Sequence, residues 1–430
     1  MLTPILGKLG DRFGKERLLV LSLCVFFLGT VGCAVAWNIG SLIAFRAASG
    51  AGAAVFPLSY GIIRDEFPPE KMKVGIGLLS AVLGIGTGLG LVFAGLIIDN
   101  LSWRWLFIAG AVPVALAVIL VHKLVPESPV RSDSRIDVVG ATLLSSALIA
   151  LLVALSEGET WGWTSTATLG LFAAAIVLGA VFVLVELRVT GPLIDMKVFV
   201  ERPVLFTNIA ALISGFAMFG AFSLLPRFVE EPRGLPAAVA AQVHYGFGAS
   251  ATRAGLYLLP GAGMMLVAGP VAGLLGRRFG SKWPLSAGMA LVSLGAGLLG
   301  AWHDHPWQIV FAMGVLGTGI GFAFAAMAAL ITEAVPPTET GIAAGINTVM
   351  RMIGAVVGAQ VGAAILTSTT IAGTSVPSEG AYATAFFLSC AAAAVGAVVA
   401  VFVTRRAREP IGAPRGRDEL SAGSAPQTGV

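Results

Sequence analysis

Twelve apolar runs, each 19 to 26 residues long, leave this chain of 430 residues few ways to fold. They fall at residues 18–37, 41–63, 74–98, 103–125, 138–156, 166–186, 204–226, 254–276, 284–302, 307–332, 341–366 and 381–404. At about 1.5 Å per residue each is long enough to cross ~30 Å of hydrocarbon as a helix. The runs are continuous rather than alternating, so the strands of a membrane barrel are not expected. In lipid, backbone polar groups have to be satisfied within the segment itself, which leaves helices. Only 12% of the residues are charged, against about a quarter in a soluble domain. Such a chain cannot cover itself with a surface that water tolerates. Its 55 glycines fit the same solvent, because small residues let helices pack closely where no hydrophobic force drives them together. The expected fold class is therefore all-α, a polytopic transmembrane helical bundle with about 12 visible spans.

Lys and Arg sort by side. Alternate connections on one side carry 21 of them, from Lys8 to the tail at Arg417, and the other side carries Arg104, Arg227, Arg233 and Arg253. By the positive-inside rule the rich side is cytoplasmic, which places both visible termini inside at a plasma membrane. Arg46 and Arg351 fall within runs. The segment after Leu225 reads as an external surface loop with a short interfacial helix, and the tail from Arg405 as disordered. MLTPIL is too short for the apolar core of a cleavable signal, so none is expected. The three cysteines lie in apolar runs and the four histidines at span edges or in loops, none at metal-ligand spacing with Cys; His303, Asp304 and His305 have the chemistry to bind a metal, but the favoured reading is a polar external turn. No basic face on a soluble module suggests nucleic acid, and no GxxxxGK[ST] suggests ATP.

One short string repeats. GKLGDRFG at 7–14 matches GLLGRRFG at 273–280 in six of eight positions, and internal repeats mark transporter folds whose halves rock about a central site. If the halves are equivalent, each is two spans, the string, then four spans. The pair 138–156 and 166–186 is then an insertion, and the chain reads as a fourteen-span protein without its first span and most of its second. The expected organisation is a half-bundle over 1–126, two inserted helices with flanking loops over 127–203, a second half-bundle over 204–404 and a tail over 405–430. Gly7, Gly10 and Gly14 are expected to let a short loop turn tightly. Asp11 is expected just before or at the start of the next helix, capping its free N–H groups. Lys15 and Arg17 can pair with acids at other helix ends, with Asp65 and Glu66 as candidates. The string, with Arg12, then reads as a gating clamp; the plainer reading of its charges is a positive-inside anchor. The second copy (Gly273, Gly276, Arg278, Gly280) has Arg277 where the first has Asp11, so the clamp is expected to be asymmetric.

GKLGDRFGKERLL resembles the cytoplasmic-loop signature of the major facilitator superfamily, between its second and third helices. LIAFRAASGAGAA at 42–54 is similar to the superfamily's fourth-helix motif, with Arg46 as the intramembrane arginine. DNLSWRWLF at 99–107, GLYLLPGAG at 255–263 and GIAAGINTVMRMIG at 341–354 resemble the fourteen-helix drug:proton antiporter family. In GIGTGLGLVFAGLI, Gly84, Gly86, Gly88, Gly90 and Gly95 match that family's fifth-helix glycine string as a helix-packing motif. Leu91 stands where a proline is expected and Ala94 where a glycine is, which weakens antiport as a specific implication.

Ionisable residues inside a membrane are expensive and tend to face a cavity. Arg46, and Arg351 with Asn347 one turn before it, are the expected transport path; Asn208, Ser214 and Gln360 are weaker pore-lining candidates. No Asp or Glu falls near a midplane: Asp99, Glu157, Glu186 and Glu333 are all at span ends. The expected function is secondary active transport by alternating access, exporting hydrophobic or cationic compounds in exchange for protons. Alternatives are a carrier for an endogenous metabolite, lipid or siderophore, and a non-transporting remnant. The expected partners are a small-molecule substrate and the lipid bilayer, for a monomer with no cofactor, no metal and the proton gradient as driver. An enzyme is not expected, because the loops are short and lack acidic or histidine clusters.

Overall fold

The computed structural model describes residues 2–128, 137–189, 192, 196–336 and 339–403. Among them every element is helical, apart from one isolated antiparallel bridge between Thr370 and Pro377. The order is α1 Leu2–Phe13, α2 Lys15–Ala34, α3 Ile39–Ser49, α4 Val55–Glu66, α5 Pro69–Asn100, α6 Arg104–Leu124, α7 Val138–Trp161 and α8 Thr166–Glu186. It continues with α9 Met196–Phe199, α10 Arg202–Glu230, α11 Ala237–Ala240, α12 Ala251–Phe279, α13 Lys282–Ala301, α14 Pro306–Ala334, α15 Thr340–Ser368 and α16 Glu379–Val401. Among the described residues, 11 helices are long and apolar enough to cross a membrane, with α3, a 3-10 turn at Gly50–Ala54 and α4 acting as one. The run expected at 74–98 lies within the 32-residue α5. This is a multi-pass membrane protein.

Helix ends follow local chemistry. Asp137, Ser165, Ser250 and Ser378 each cap a helix by accepting a backbone N–H two or three residues into it. Pro69, Arg202-Pro203 and Pro306 open α5, α10 and α14, where the missing N–H leaves no bond unmade. The long connection between α10 and α12 holds one short helix, α11, as expected for the external loop.

Each half packs its own core. In the first, Leu18, Leu19 and Leu23 of α2 meet Leu58 and Ile62 of α4. In the second, α10 and α12 to α16 share one continuous cluster that includes Phe228, Met289, Leu316 and Tyr382. The pair α7 and α8 pack on each other, and Ala141 and Phe182 reach Ile342 on α15. Val112 and Leu116 on α6 and Ile176 and Val177 on α8 point outward, which is where lipid replaces a protein partner. The expected disordered tail from Arg405 lies outside the described residues.

The halves meet along two helix pairs, α1 with α15 and α5 with α12. Glycine makes both approaches close. A Cβ on Gly7 would stand 2.4 Å from the Gly341 carbonyl oxygen, and one on Gly77 would stand 2.4 Å from that of Gly269. This corrects one expectation. Gly7 and Gly10 are not in a loop but inside α1, facing Gly341 and Leu58. The turn is Gly14 alone, at φ 112°, with the Glu127 carboxylate where its Cβ would be. Of the glycine string in α5, Gly88 packs on Ala262 and Gly95 on the backbone of Ala251, while Gly86 and Gly90 have nothing within 4 Å. The surroundings of Gly84 lie outside the described residues. Among the described glycines of the string, the close packing contacts are those of Gly88 and Gly95.

Candidate functional site: the seam between the halves

One end of the bundle, the basic end, gathers the turns after α1, α4, α12 and α14 and, among the described residues, most of the Lys and Arg. Lys15, at the first position of α2, is fully buried there. Its Nζ donates to Asp65 Oδ2 at 2.6 Å and stands 3.5 Å from Asp11 Oδ1. Asp65 also accepts from the Ser128 hydroxyl. The expected Lys15–Asp65 pair is thus present. Arg17 turns instead to Glu127 at 3.5 Å and is 70% exposed, a pair of little energetic weight. Arg12 lies over the neighbouring Phe13 ring, as Arg278 lies over Phe279, both at 5.2 Å.

Asp11 is not where the helix-start reading put it. It sits inside α1, one turn before Lys15, and α2 has no side-chain cap. Its carboxyl faces the Ile342 N–H at the start of α15, in the other half. The dipole it complements is that of a helix more than 300 residues away in sequence. Burial pushes its pKa up to about 7, against the pull of Lys15, the Ile342 N–H and Lys8. The folded chain then holds a proton that the unfolded chain releases between about pH 4 and pH 7. This contribution to stability is present at low pH and lost as pH rises through 7. The melting temperature of the purified chain is expected to fall across that window, and Asp11→Asn is expected to flatten the slope. An equal slope in the variant would assign it to other groups.

Two further cations cross the seam, Arg64 and Lys73, which by sequence are only basic residues at helix ends. Arg64 donates to Thr340 Oγ1 at 2.6 Å, Val335 O at 2.8 Å and Pro336 O at 3.3 Å, covering the carbonyl end of α14. Lys73 meets Glu333 at 2.7 Å and donates to Gly276 O at 3.1 Å and Ser281 Oγ at 3.4 Å. So the second string copy serves the seam through its backbone: Gly276 offers its carbonyl, and a Cβ on Gly273 would stand 2.6 Å from the Lys73 oxygen. Gly280 makes the turn at φ 91°. Arg277 and Arg278 face outward, so the two copies are asymmetric, as expected. At the opposite end the seam is held by Asp99, which accepts from Thr252 N at 3.0 Å and Thr252 Oγ1 at 2.6 Å.

Between these ends a small pocket opens toward the middle of the seam. Tyr60 of α4 lines one side; Phe324 and Ile331 of α14 and Asn347, Thr348 and Arg351 of α15 line the other. Asn347 and Arg351 therefore share one site, as expected. Asn347 reaches on to Asn208 Oδ1 at 3.0 Å, tying α15 to α10. Arg46 does not join them. It is exposed on α3, with its guanidinium 5.8 Å from the Phe107 ring. Among the described residues, no group of three or more His, Cys, Asp or Glu is placed to hold a metal ion.

A family model described as Major Facilitator Superfamily matches residues 1–244 and 235–428. The chain is 29% identical over 366 residues to the "Tetracenomycin C resistance and export protein" of Streptomyces glaucescens, covering 83% of this chain and 64% of that protein. It is 30% identical over 367 residues to "Multidrug resistance protein 3" of Bacillus subtilis (strain 168), covering 83% and 68%. The match to the "Methylenomycin A resistance protein" of Streptomyces coelicolor is 29% over 374 residues, covering 86% and 75%. The chain thus spans somewhat less than two thirds of the first of these relatives. In fold it is similar to the human organic anion transporter MFSD10 (TETRAN), with a TM-score of 0.64 at 15% identity over 93% of this chain and 80% of that one. It is also similar to the proton:xylose symporter XylE, with a TM-score of 0.57 at 14% identity over 94% and 84%.

Proposed function

The chain belongs to the major facilitator superfamily, a family of transporters and not of enzymes, and from that premise we propose that it exports hydrophobic small molecules by alternating access. One observation carries the reading: two separately cored halves meet at a seam made of glycine contacts and a few polar bonds, with a polar pocket midway along it. Such a seam can part at one end without unpacking either core. Its polar bonds are concentrated at the basic end, where Arg64, Lys73 and Asp11 each reach an element of the other half. We take that end as cytoplasmic, in a plasma membrane with both visible termini inside, so the conformation described has its cytoplasmic door shut. The relatives named for resistance and export support outward transport. The proton gradient is the proposed driver.

Cells producing the chain should expel a hydrophobic dye faster than cells with an empty vector, and a protonophore should abolish the difference. Equal rates with and without the chain would sink the export reading. Efflux that survives the protonophore would sink proton coupling alone.

A further inference from the structure

The pocket at the middle of the seam has one polar group left without a protein partner. Its other hydrogen-bond donors are taken. The Ser80 hydroxyl donates to Ile76 O, so Tyr60 donates to Ser80 Oγ at 3.2 Å. Thr348 donates to Ala344 O at 2.9 Å. The Asn347 amide nitrogen donates to Asn208 Oδ1 at 3.0 Å and to Thr207 O at 3.4 Å. Arg351 is different. Its guanidinium lies 4.4 Å from the centre of the Phe324 ring, and among the described residues it has no hydrogen bond and no ion pair.

The contrast with the other cations at the seam is chemical. Lys15 has two carboxylates, Lys73 has Glu333 and Arg64 has carbonyl oxygens. No acid lines the pocket around Arg351. Arginine stays charged in any protein setting, and Arg351 is half-buried, where a charge within a membrane span and without a counter-ion is unfavourable. An incoming anion relieves that. The guanidinium offers a planar fork that fits a carboxylate with two parallel bonds. Phe324 and Ile331 beside it offer an apolar wall for the rest of the molecule. A cationic ligand would meet a like charge and find no carboxylate.

We propose that this pocket, only water-sized in the closed conformation described, takes an amphipathic organic anion once the seam parts, a hydrophobic scaffold bearing a carboxylate, with Arg351 as the group that binds the charge. The inference rests on reading the seam as a transport path; it keeps the hydrophobic part of the expectation and replaces the cationic part with an anion.

The test uses the full chain in lipid nanodiscs and three probes of one shape: radiolabelled 1-naphthylacetic acid, its methyl ester and 1-naphthylmethylamine. The acid is expected to bind at least about tenfold more tightly than the ester or the amine, the weight of one charge-assisted hydrogen bond. Arg351→Gln should erase that preference, and Arg351→Lys should keep part of it. Melting curves of each variant establish that it is folded, and Arg351→Lys carries the test if Arg351→Gln is not. Ester or amine binding as tight as the acid, or a preference for the acid that survives in folded Arg351→Gln, overturns the proposal. So does dye efflux with no binding of the acid, which leaves the export reading standing. Acid binding that depends on Arg351 in a chain that expels no dye supports the anion site and removes the export reading instead.

Discussion

Replacing Lys15 with alanine is expected to destabilise the first half by about 3 kcal/mol, the cost of leaving buried carboxylates without their cation. Lys15 is wholly buried, and so are its two acids, with Asp65 1% exposed and Asp11 0%. No water reaches the group to screen the loss. Among the described residues, the remaining partner of Asp65 is the Ser128 hydroxyl, which cannot neutralise it. Thermal melting of the purified chain reads the effect. The double variant Lys15→Met with Asp65→Asn should recover part of it, since removing both charges removes the imbalance. A single variant that melts within a degree or two of the parent would show that the cluster is not a buried ion network. An exposed pair such as Arg17 with Glu127 gives the control: Arg17→Ala should change little.

The second large effect is expected at Gly354, where α15 crosses α10. A Cβ there would stand 1.9 Å from the Leu212 carbonyl oxygen and 3.0 Å from the Phe216 nitrogen. The same crossing repeats one turn on, with a Cβ on Gly358 2.3 Å from Phe216 O, and from the other side with one on Gly215 2.0 Å from Arg351 O. The obstacles are backbone atoms, so no side chain can swing aside. Gly354→Val should force the helices apart by on the order of 1 Å and destabilise the second half by about 3 kcal/mol or more. The expected readout is little folded protein in the membrane fraction and an early-melting remainder. Gly86→Val on α5, where nothing lies within 4 Å, should leave both readouts close to the parent. Similar outcomes for the two variants would refute the close crossing.

How much of this was legible beforehand depends on where each partner lies. The Lys15–Asp65 pair could be anticipated because both residues sit at helix ends at one end of the bundle, 50 positions apart. The asymmetry of the two strings followed from Arg277 in place of Asp11. Arg64 with Thr340 could not be foreseen, because its partner is 276 residues away in the other half. The same holds for Lys73 and Glu333, which by sequence are only two charges at span ends. A usable signal did exist for the α10–α15 crossing: Gly354, Gly358 and Gly362 recur every fourth residue, which is the spacing of one helix face. Asp11 was misplaced because Gly10 and Gly14 suggested a loop, whereas the helix runs through Gly10 and breaks only at Gly14. Glycine marks both a turn and a close contact, and its neighbours in sequence do not say which.

Apolar run length and charge placement are local properties of the chain, and lipid as solvent turns them directly into spans and sides. The helical class, the approximate positions of the spans and the basic end needed nothing more. Which charges are buried, which glycines touch and which arginine lacks a partner are properties of pairs brought together from distant segments. Those depend on how two half-bundles lean on each other, and a contact between helices hundreds of residues apart has no signature in either helix alone.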